Sequence, residues 1–218
     1  MDLFKKRIKL PPLFQQYNKV VVIVGGSGRV GKALLGICAS LTDIVFVIVS
    51  PTSTVSSDNI ISIRADMTKE PEIVVKKILS LTGRVDVLVH MAATYAFDTA
   101  ESLSLVNLRK EFEVNTFMPL LVTQELVRQQ WSKVPVEENR VNNQKVVIIG
   151  SQAGNGKTKR EELITYSATK AALAVGWEYY ADFLNTKGVK SIFLKPGGLQ
   201  EQEALDSFVQ ELKTAILS

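Results

Sequence analysis

Tyr166 and Lys170 lie four residues apart in the stretch Tyr-Ser-Ala-Thr-Lys. On a helix this spacing places both side chains on one face, one turn apart. A tyrosine has an ordinary pKa of about 10, so it exchanges protons near neutral pH only beside a positive charge, which Lys170 can supply. The spacing therefore indicates a proton-transfer pair, with an exposed pair of no function as the alternative.

A glycine-rich loop, Gly-Gly-Ser-Gly-Arg-Val-Gly, stands between a β-branched run and a stretch of helical periodicity. Glycines there let the backbone approach a ligand, and the N-terminus of the following helix attracts a phosphate. The loop predicts a dinucleotide-binding turn, with an ordinary tight strand-to-helix turn as the alternative. Its expected cofactor contacts are Gly25, Ser27, Gly28, Arg29, Val30 and Gly31.

The second predicted strand ends in Val49-Ser50-Pro51-Thr52 and carries no carboxylate. In NAD-binding domains of this type an acidic residue at that strand end holds the ribose 2′-hydroxyl. Because a carboxylate would repel a 2′-phosphate, its absence favours NADP(H) over NAD(H), with Ser50 beside the ribose. Arg29 is a candidate counter-charge for the phosphate, or else a solvated arginine at a helix start.

Apolar β-branched runs alternate with helical stretches along the chain. Runs that are apolar throughout predict strands covered on both faces, and their alternation with helices predicts a parallel sheet. We therefore expect one α/β domain of Rossmann type, a doubly wound parallel sheet of about six to seven strands with helices on both faces. The expected strands cover residues 20–24, 44–49, 60–63, 85–89, 145–149 and 189–194, and the expected helices cover residues 32–41, 71–81, 108–131, 166–186 and 203–217. The polar stretch 135–144 is expected to be a loop.

Composition excludes several classes of function. The chain of 218 residues has 46% hydrophobic residues, one cysteine and one histidine. A single cysteine, Cys38, cannot form an intramolecular disulfide or a cysteine zinc site, and a single histidine, His90, cannot form a multi-histidine metal site. The net charge of +4 is interpreted as a set of solvated surface charges, and we expect no nucleic-acid partner for the protein. Apolar runs are too short to span a membrane. Residues 1–18 are expected to form a basic arm that lacks the apolar segment of a secretory signal, which predicts a cytoplasmic protein.

The motifs of residues 19–198, in their order along the chain, resemble those of the short-chain dehydrogenase/reductase family. Besides the glycine loop and the Tyr-Lys pair, the matching landmarks are Asp66, His90-Met91-Ala92-Ala93, Asn115, Ser151 and Pro196-Gly197. The layout is close to the family's classical branch. The spacing Gly-x-x-Gly-x-x-Gly and the sequence His-x-Ala-Ala are typical of its extended branch.

The resemblance implies an NADP(H)-dependent oxidoreductase of the carbonyl reductase or alcohol dehydrogenase type, acting on a small carbonyl or alcohol. Tyr166 would exchange a proton with the substrate oxygen and Ser151 would hydrogen-bond that oxygen. Lys170 would bind the nicotinamide ribose and lower the pKa of Tyr166, and Asn115 would hold a water that links Lys170 to solvent. Further implied cofactor contacts are Asp66, Met67, Met91, Ala92, Ala93, Tyr166, Lys170, Pro196 and Gly197.

Less specific interpretations stay open for several of these residues. Asn115 could be an ordinary helix amide, Ser151 a turn residue, and Asp66 a helix cap. His90 stands where the family usually has asparagine and is expected to position the backbone at the cofactor edge. The basic stretch 154–160 is either a solvated loop or a contact for an anionic substrate.

Residues 19–218 are expected to form one dinucleotide-binding domain whose C-terminal substrate region is abbreviated after Gly197. Such a substrate site would be open, or closed by a neighbouring subunit, by the loop 154–162 or by the N-terminal arm. Two other functions remain: a non-catalytic NADP-binding sensor or scaffold, and an extended-type epimerase or dehydratase. Family members often form homodimers or homotetramers, here through the helices of residues 108–131 and 166–186.

Overall fold

The computed structural model describes residues 16–52, 56–156 and 160–218. The basic cluster expected in the N-terminal arm, from Lys5 to Lys9, lies outside the described residues. So do positions 157–159 of the basic stretch that was expected beside the substrate site.

Six parallel strands form one sheet in the order β3-β2-β1-β4-β5-β6. Since β1 pairs with both β2 and β4, the chain reverses its direction of winding at β1, which is the doubly wound arrangement of dinucleotide-binding domains. The predicted α/β fold of Rossmann type is confirmed. The strands are β1 (Lys19–Val24), β2 (Ile44–Ser50), β3 (Ile60–Arg64), β4 (Val87–His90), β5 (Lys145–Ile149) and β6 (Lys190–Leu194).

Helices cover both faces of the sheet. Alternate residues of each strand enter opposite cores: Val22 packs with Trp131 and Trp177 on one face, whereas Ile23 packs with Leu34 and Leu212 on the other. Strands buried on both faces explain the continuous apolar runs of the sequence. The helices are α1 (Arg29–Cys38), α2 (Pro71–Thr82), α3 (Leu105–Phe112), α4 (Met118–Gln129), α5 (Val136–Val141), α6 (Ile164–Thr186) and α7 (Gln202–Leu217).

The expectation that residues 135–144 form a loop is wrong, because helix α5 lies within them. This helix has no apolar period, and a buried polar side chain holds it in place. The amide of Asn139, which is 1% exposed, donates hydrogen bonds to the carbonyl oxygens of Trp131 at 2.7 Å and of Lys187 at 2.8 Å. Glutamates in the first turn and Arg140 in the last turn complement the helix dipole.

The single helix expected over residues 108–131 is interrupted by a π-helical segment, Glu113–Phe117, between α3 and α4. Pro119 lies at the start of α4. Because proline has no backbone N–H, it cannot donate the α-helical hydrogen bond to the carbonyl of Asn115, four residues earlier. The break therefore occurs where the sequence removes a donor, and π segments of this kind are frequent at functional sites.

Candidate active site

The carboxyl ends of β1 and β4 bring the glycine loop against the segment that follows β4. Gly25 has a φ of +90°, a conformation that favours glycine. A Cβ atom at Gly25 would lie 2.4 Å from the backbone of Ala92. The loop and residues 91–93 can be this close only because residue 25 has no side chain. In doubly wound folds ligands bind at this edge.

The N-terminus of α1 fits the pyrophosphate of a dinucleotide. Gly28 is the N-cap residue and provides no side-chain cap, and the first turn has no acidic residue, so the free N–H groups and the helix dipole are available to an anion. A Cβ atom at Gly28 would meet nothing within 4 Å, which shows open space above this turn. At Gly31, by contrast, a Cβ atom would lie 2.3 Å from the carbonyl oxygen of Gly26.

Hydroxyl groups gather where the second strand ends. The Oγ atoms of Ser27 and Ser50 are 2.7 Å apart, and Thr52 Oγ1 lies 3.1 Å from Ser50 Oγ. Neutral hydroxyls at this strand end can hydrogen-bond a ribose or its phosphate without repelling a negative charge. Asp66 and Met67, which follow β3, are also expected cofactor contacts. The side chain of Met67 packs into the core.

Asp66 forms a local turn. Its Oδ1 accepts hydrogen bonds from the backbone N–H of Thr68 at 3.1 Å and from its hydroxyl at 2.7 Å. These bonds, the hydroxyl bond above all, lower the pKa of Asp66. The helix-cap interpretation of Asp66 is wrong, because the N-cap residue of α2 is Glu70 and no side chain caps that helix. The half-exposed carboxylate of Asp66 also pairs through Oδ2 with Lys69 Nζ at 3.8 Å.

Arg29 ties the glycine loop to the segment before α7. Its Nη1 donates to the carbonyl oxygens of Leu199 at 2.8 Å and Gln200 at 2.9 Å. The guanidinium is thus directed toward the C-terminal segment, and these bonds are exposed to solvent. A fully solvated arginine at the helix start does not describe this residue.

Lys170 is buried beside Tyr166, with only 3% of its surface exposed, which excludes the alternative of an exposed Tyr-Lys pair. Its Nζ donates to the carbonyl oxygen of Ile149 at 2.9 Å and lies 5.7 Å from the centroid of the Tyr166 ring. Burial lowers the pKa of Lys170 to about 8. The ammonium has three donors, so two remain for a bound ligand.

Tyr166 is half-buried beside Ser151. Burial raises the pKa of Tyr166, the hydrogen bond with Ser151 opposes that rise, and the nearby Tyr95 and Glu111 add to it. The pKa of Tyr166 is thus raised, against the lowering expected from Lys170, and the phenol is protonated at neutral pH. Ser151 Oγ accepts from the N–H of Ala153 at 3.1 Å, which leaves its own proton to donate to an oxygen beside Tyr166.

Asn115 is fully buried in the π segment. Its Oδ1 accepts from the N–H of Thr94, and its Nδ2 donates to the carbonyl oxygen of Thr94, both at 2.8 Å. The same Nδ2 donates to Thr169 Oγ1 at 3.0 Å. With all of these partners, Asn115 links the segment after β4 to the helix that carries Lys170.

Residues 196–197 lie beside Ser151, because the N–H of Gln152 donates to the carbonyl oxygen of Pro196 at 3.0 Å. The structure therefore brings Asn115, Ser151, Tyr166 and Lys170 together, with the glycine loop and Pro196-Gly197 at the same edge of the sheet.

Three residues of the site were not found from the sequence: Glu111, Thr165 and Thr169. Glu111 is 1% exposed; it accepts from the N–H of Ala96 at 2.7 Å and from Thr165 Oγ1 at 2.9 Å. The available signal was the spacing of Glu111 and Asn115, four residues apart on one helix face. Both side chains hold the segment that follows β4.

His90 ends β4 and is 2% exposed. Thr123 Oγ1 lies 3.0 Å from His90 Nε2 and donates its proton to the carbonyl oxygen of Pro119 at 2.8 Å. His90 Nε2 must therefore be the donor of this bond. Burial, with the charge of Lys170 second, lowers the pKa of His90 to about 3. The side chain thus contacts α4 through Thr123, and the role expected of His90 in positioning the backbone at the cofactor edge stays a prediction.

In the part of the chain that the structure describes, every helix is too short or too polar to cross a bilayer.

Comparisons with known proteins identify the family. A family model described as short chain dehydrogenase matches residues 19–211. The uncharacterized oxidoreductase TDA5 of Saccharomyces cerevisiae is 28% identical over 198 residues, which cover 85% of this chain and 56% of that protein. The chain thus spans about half the length of this curated relative.

Solved structures share the fold. A short-chain dehydrogenase of Leptospira borgpetersenii with bound NAD+ has a TM-score of 0.74 at 21% identity, covering 95% of this chain and 82% of that one. A metagenomic short-chain oxidoreductase in complex with NADP has a TM-score of 0.75 at 18% identity, covering 93% of this chain and 92% of that one. The family match over residues 19–211 shows that the chain belongs to the short-chain dehydrogenase/reductase family.

Proposed function

We propose that the protein is an NADP(H)-dependent carbonyl reductase or alcohol dehydrogenase. The observation that carries this proposal is the arrangement of Ser151, Tyr166 and Lys170, in which the Ser151 hydroxyl lies beside the Tyr166 phenol and the Nζ atom of buried Lys170 lies 5.7 Å from the centroid of the Tyr166 ring. An oxygen atom bound between Ser151 and Tyr166 would meet two hydroxyl donors.

Tyr166 gives its proton to the carbonyl oxygen during reduction and takes one from the alcohol during oxidation. Its raised pKa keeps the phenol protonated at neutral pH, which suits reduction. Ser151 orients the same oxygen with its free proton. When bound, NADPH supplies the hydride that reduces the carbonyl carbon.

Lys170 binds the nicotinamide ribose with the two donors that Ile149 leaves free and holds a positive charge beside Tyr166. The backbone carbonyl of Asn115 cannot receive an α-helical bond from Pro119, which supports the proposal that a water bound there resupplies protons through Lys170.

The preference for NADP(H) is supported by the hydroxyls of Ser27, Ser50 and Thr52 at the end of β2. Arg29 reaches the 2′-phosphate if its guanidinium leaves the carbonyls of residues 199–200. Charged donors bind a phosphate more strongly than they bind a carbonyl, so such an exchange is favourable.

The substrate site is proposed to be weakly enclosed, since residues 195–201 lead directly from β6 into α7. A homodimer or homotetramer is proposed through α4 and α6, which expose Leu121, Val175 and Tyr179. Burial of the Cys38 thiol, which raises its pKa to about 11, gives an unreactive cysteine, in keeping with the proposed cytoplasmic location.

The test is turnover of a panel of aldehydes and ketones by the purified protein, followed by the loss of NADPH absorbance. Tyr166→Phe should abolish turnover while NADPH binding, measured by calorimetry, is kept. Tyr179→Phe, on the exposed side of the same helix, is the matched control and should be fully active. Absence of turnover with every carbonyl, or equal turnover by Tyr166→Phe, would overturn the proposal. Cofactor binding without turnover would instead favour a sensor or scaffold.

A further inference from the structure

Two aromatic side chains stand exposed beside Tyr166. Tyr95 is 53% exposed and Phe97 is 55% exposed, and both belong to the segment between β4 and α3. Exposure alternates along this segment, with residues 93, 95 and 97 exposed and residues 94 and 96 half-buried. One row of side chains therefore leads from Ala93, at the expected cofactor edge, out to Phe97.

The intervening residues fix this row. Both backbone groups of Thr94 are bound by the Asn115 amide, and the N–H of Ala96 is bound by the Glu111 carboxylate. Asn115 is 0% and Glu111 is 1% exposed. A segment without regular secondary structure is thus held by two buried polar side chains, so the exposed rings are presented in a set position.

Phe97 has a φ of +54°, a conformation that costs about 1 kcal/mol or more for a residue with a side chain. Glycine would adopt it without strain. An exposed phenylalanine in this conformation gains no core burial in return, and strained residues of this kind cluster at ligand sites.

The rings are arranged around the proposed reaction centre. The centroids of Tyr95 and Phe97 are 4.7 Å apart with an interplanar angle of 86°, and those of Tyr95 and Tyr166 are 6.0 Å apart at 78°. Two rings at right angles form a corner in which a third ring can stack on one face and meet the edge of the other. Tyr166 lies at one end of this corner.

We propose that Tyr95 and Phe97 form a subsite for a planar aromatic group carried by the substrate, so that the substrates are aryl aldehydes or aryl ketones. The inference rests on the proposed function, because Tyr166 must act on the carbonyl attached to that ring. Glu111 is a positioning residue, which acts through Ala96.

The first test compares kcat/KM for acetophenone and cyclohexyl methyl ketone, which have the same carbon skeleton. The difference in intrinsic reactivity between the two ketones cancels when the ratio of their kcat/KM values in the wild type is divided by the same ratio in a variant. Phe97→Leu and Tyr95→Leu should each lower the aryl preference by about fivefold to tenfold, mainly through the KM of the aryl ketone. Ile73→Leu, at an exposed position on α2, should leave it unchanged.

Equal ratios in the wild type and both ring variants would overturn the aromatic subsite and leave the reductase proposal standing. A change in oligomeric state of Phe97→Leu with an unchanged ratio would likewise overturn it, and would assign the rings to a contact between copies of the chain.

A second measurement does not depend on turnover. Benzamide, which carries an aryl carbonyl that the enzyme does not reduce, is titrated into the protein with NADP+ and followed by saturation-transfer NMR. Binding that weakens about fivefold or more in Phe97→Leu supports the subsite even if no carbonyl is turned over, in which case only the reductase proposal fails. Binding equal in both proteins overturns the subsite.

Discussion

Asn115 Nδ2 donates a 3.0 Å hydrogen bond to Thr169 Oγ1, and both residues are 0% exposed. The bond joins the π segment to α6 at the residue before Lys170. Thr169 Oγ1 also donates to the carbonyl oxygen of Tyr166 at 2.7 Å. The buried hydroxyl of Thr169 thus contributes to the position of the Tyr-Lys pair.

Thr169→Val removes this hydroxyl while keeping the shape of the side chain. The Asn115 amide then loses one buried partner, and we expect a loss of about 1–3 kcal/mol in the free energy of unfolding. In the reductase assay kcat should fall more than the KM for NADPH changes. Thr186→Val is the matched control, because Thr186 on the same helix makes a similar bond but is exposed. Equal loss of stability in the two variants would contradict the role of the buried bond.

Stability below neutral pH should depend on His90. Its folded-state pKa of about 3 lies below the ordinary value of about 6.5. Between these two pH values the unfolded chain therefore binds a proton at His90 and the folded chain does not. The contribution of His90 to stability is therefore fully present above pH 6.5. As the pH is lowered from 6.5 to 3, this contribution decreases by about tenfold in the folding equilibrium constant per pH unit. His90→Asn should remove this component.

The measurement is urea unfolding of wild type and His90→Asn at several pH values between 7.5 and 4.5. The difference between the two profiles isolates His90 from the carboxylates that titrate in both proteins. Parallel profiles would show that the imidazole has the same pKa in the folded and the unfolded chain, and would refute its lowered pKa.

Thr52→Asp tests the cofactor preference. It places a carboxylate at the exposed end of β2, where Thr52 now lies 3.1 Å from Ser50. Repulsion of the 2′-phosphate should lower kcat/KM for NADPH by about tenfold or more relative to NADH. Thr52→Asn, equal in size and neutral, is the control. If both cofactors lost activity to the same extent, the 2′-phosphate would lie elsewhere.

Gly28→Ala tests the pyrophosphate position. Gly28 has a φ of −75° and a Cβ there meets nothing within 4 Å, so the substitution causes no steric strain, and alanine as the N-cap residue should lower the melting temperature only slightly. The added methyl group occupies the space above α1, and the Kd for NADPH should rise by about tenfold. Gly36→Ala, in the same helix and equally unhindered, should keep the wild-type Kd. Unchanged affinity in Gly28→Ala would move the cofactor away from this turn.

Features that depend on local patterns were predictable from the sequence. The apolar strands, the glycine loop and the spacing of Tyr166 and Lys170 follow from side-chain periodicity and turn chemistry. The structure forms its sheet from these strands and places the glycine loop and the Tyr-Lys pair at one edge of it. The role of Glu111 was not predictable in this way, because its partner Ala96 lies in an irregular segment whose path no periodicity defines. Helix α5 was missed because Asn139, and not an apolar face, holds it in place.

The interruption of the middle helix was accessible in principle. Pro119 marks the position at which an α-helical bond to Asn115 is impossible, but the surrounding residues keep helical periodicity, and proline is tolerated in a first turn. Only the structure shows that α4 begins at Met118, so that Pro119 lies in a first turn.

The strand order β3-β2-β1-β4-β5-β6 has a consequence for how such an enzyme can change. On the proposed function, the hydroxyls that select the dinucleotide lie on the β2 side of β1, whereas Tyr95, Ser151 and Tyr166 lie beyond β4 on the other. Because these two sets of residues lie on opposite sides of β1 and β4, the effects of substitutions in them should combine additively. Cofactor choice and substrate choice are then independent traits, each open to selection or engineering without loss of the other.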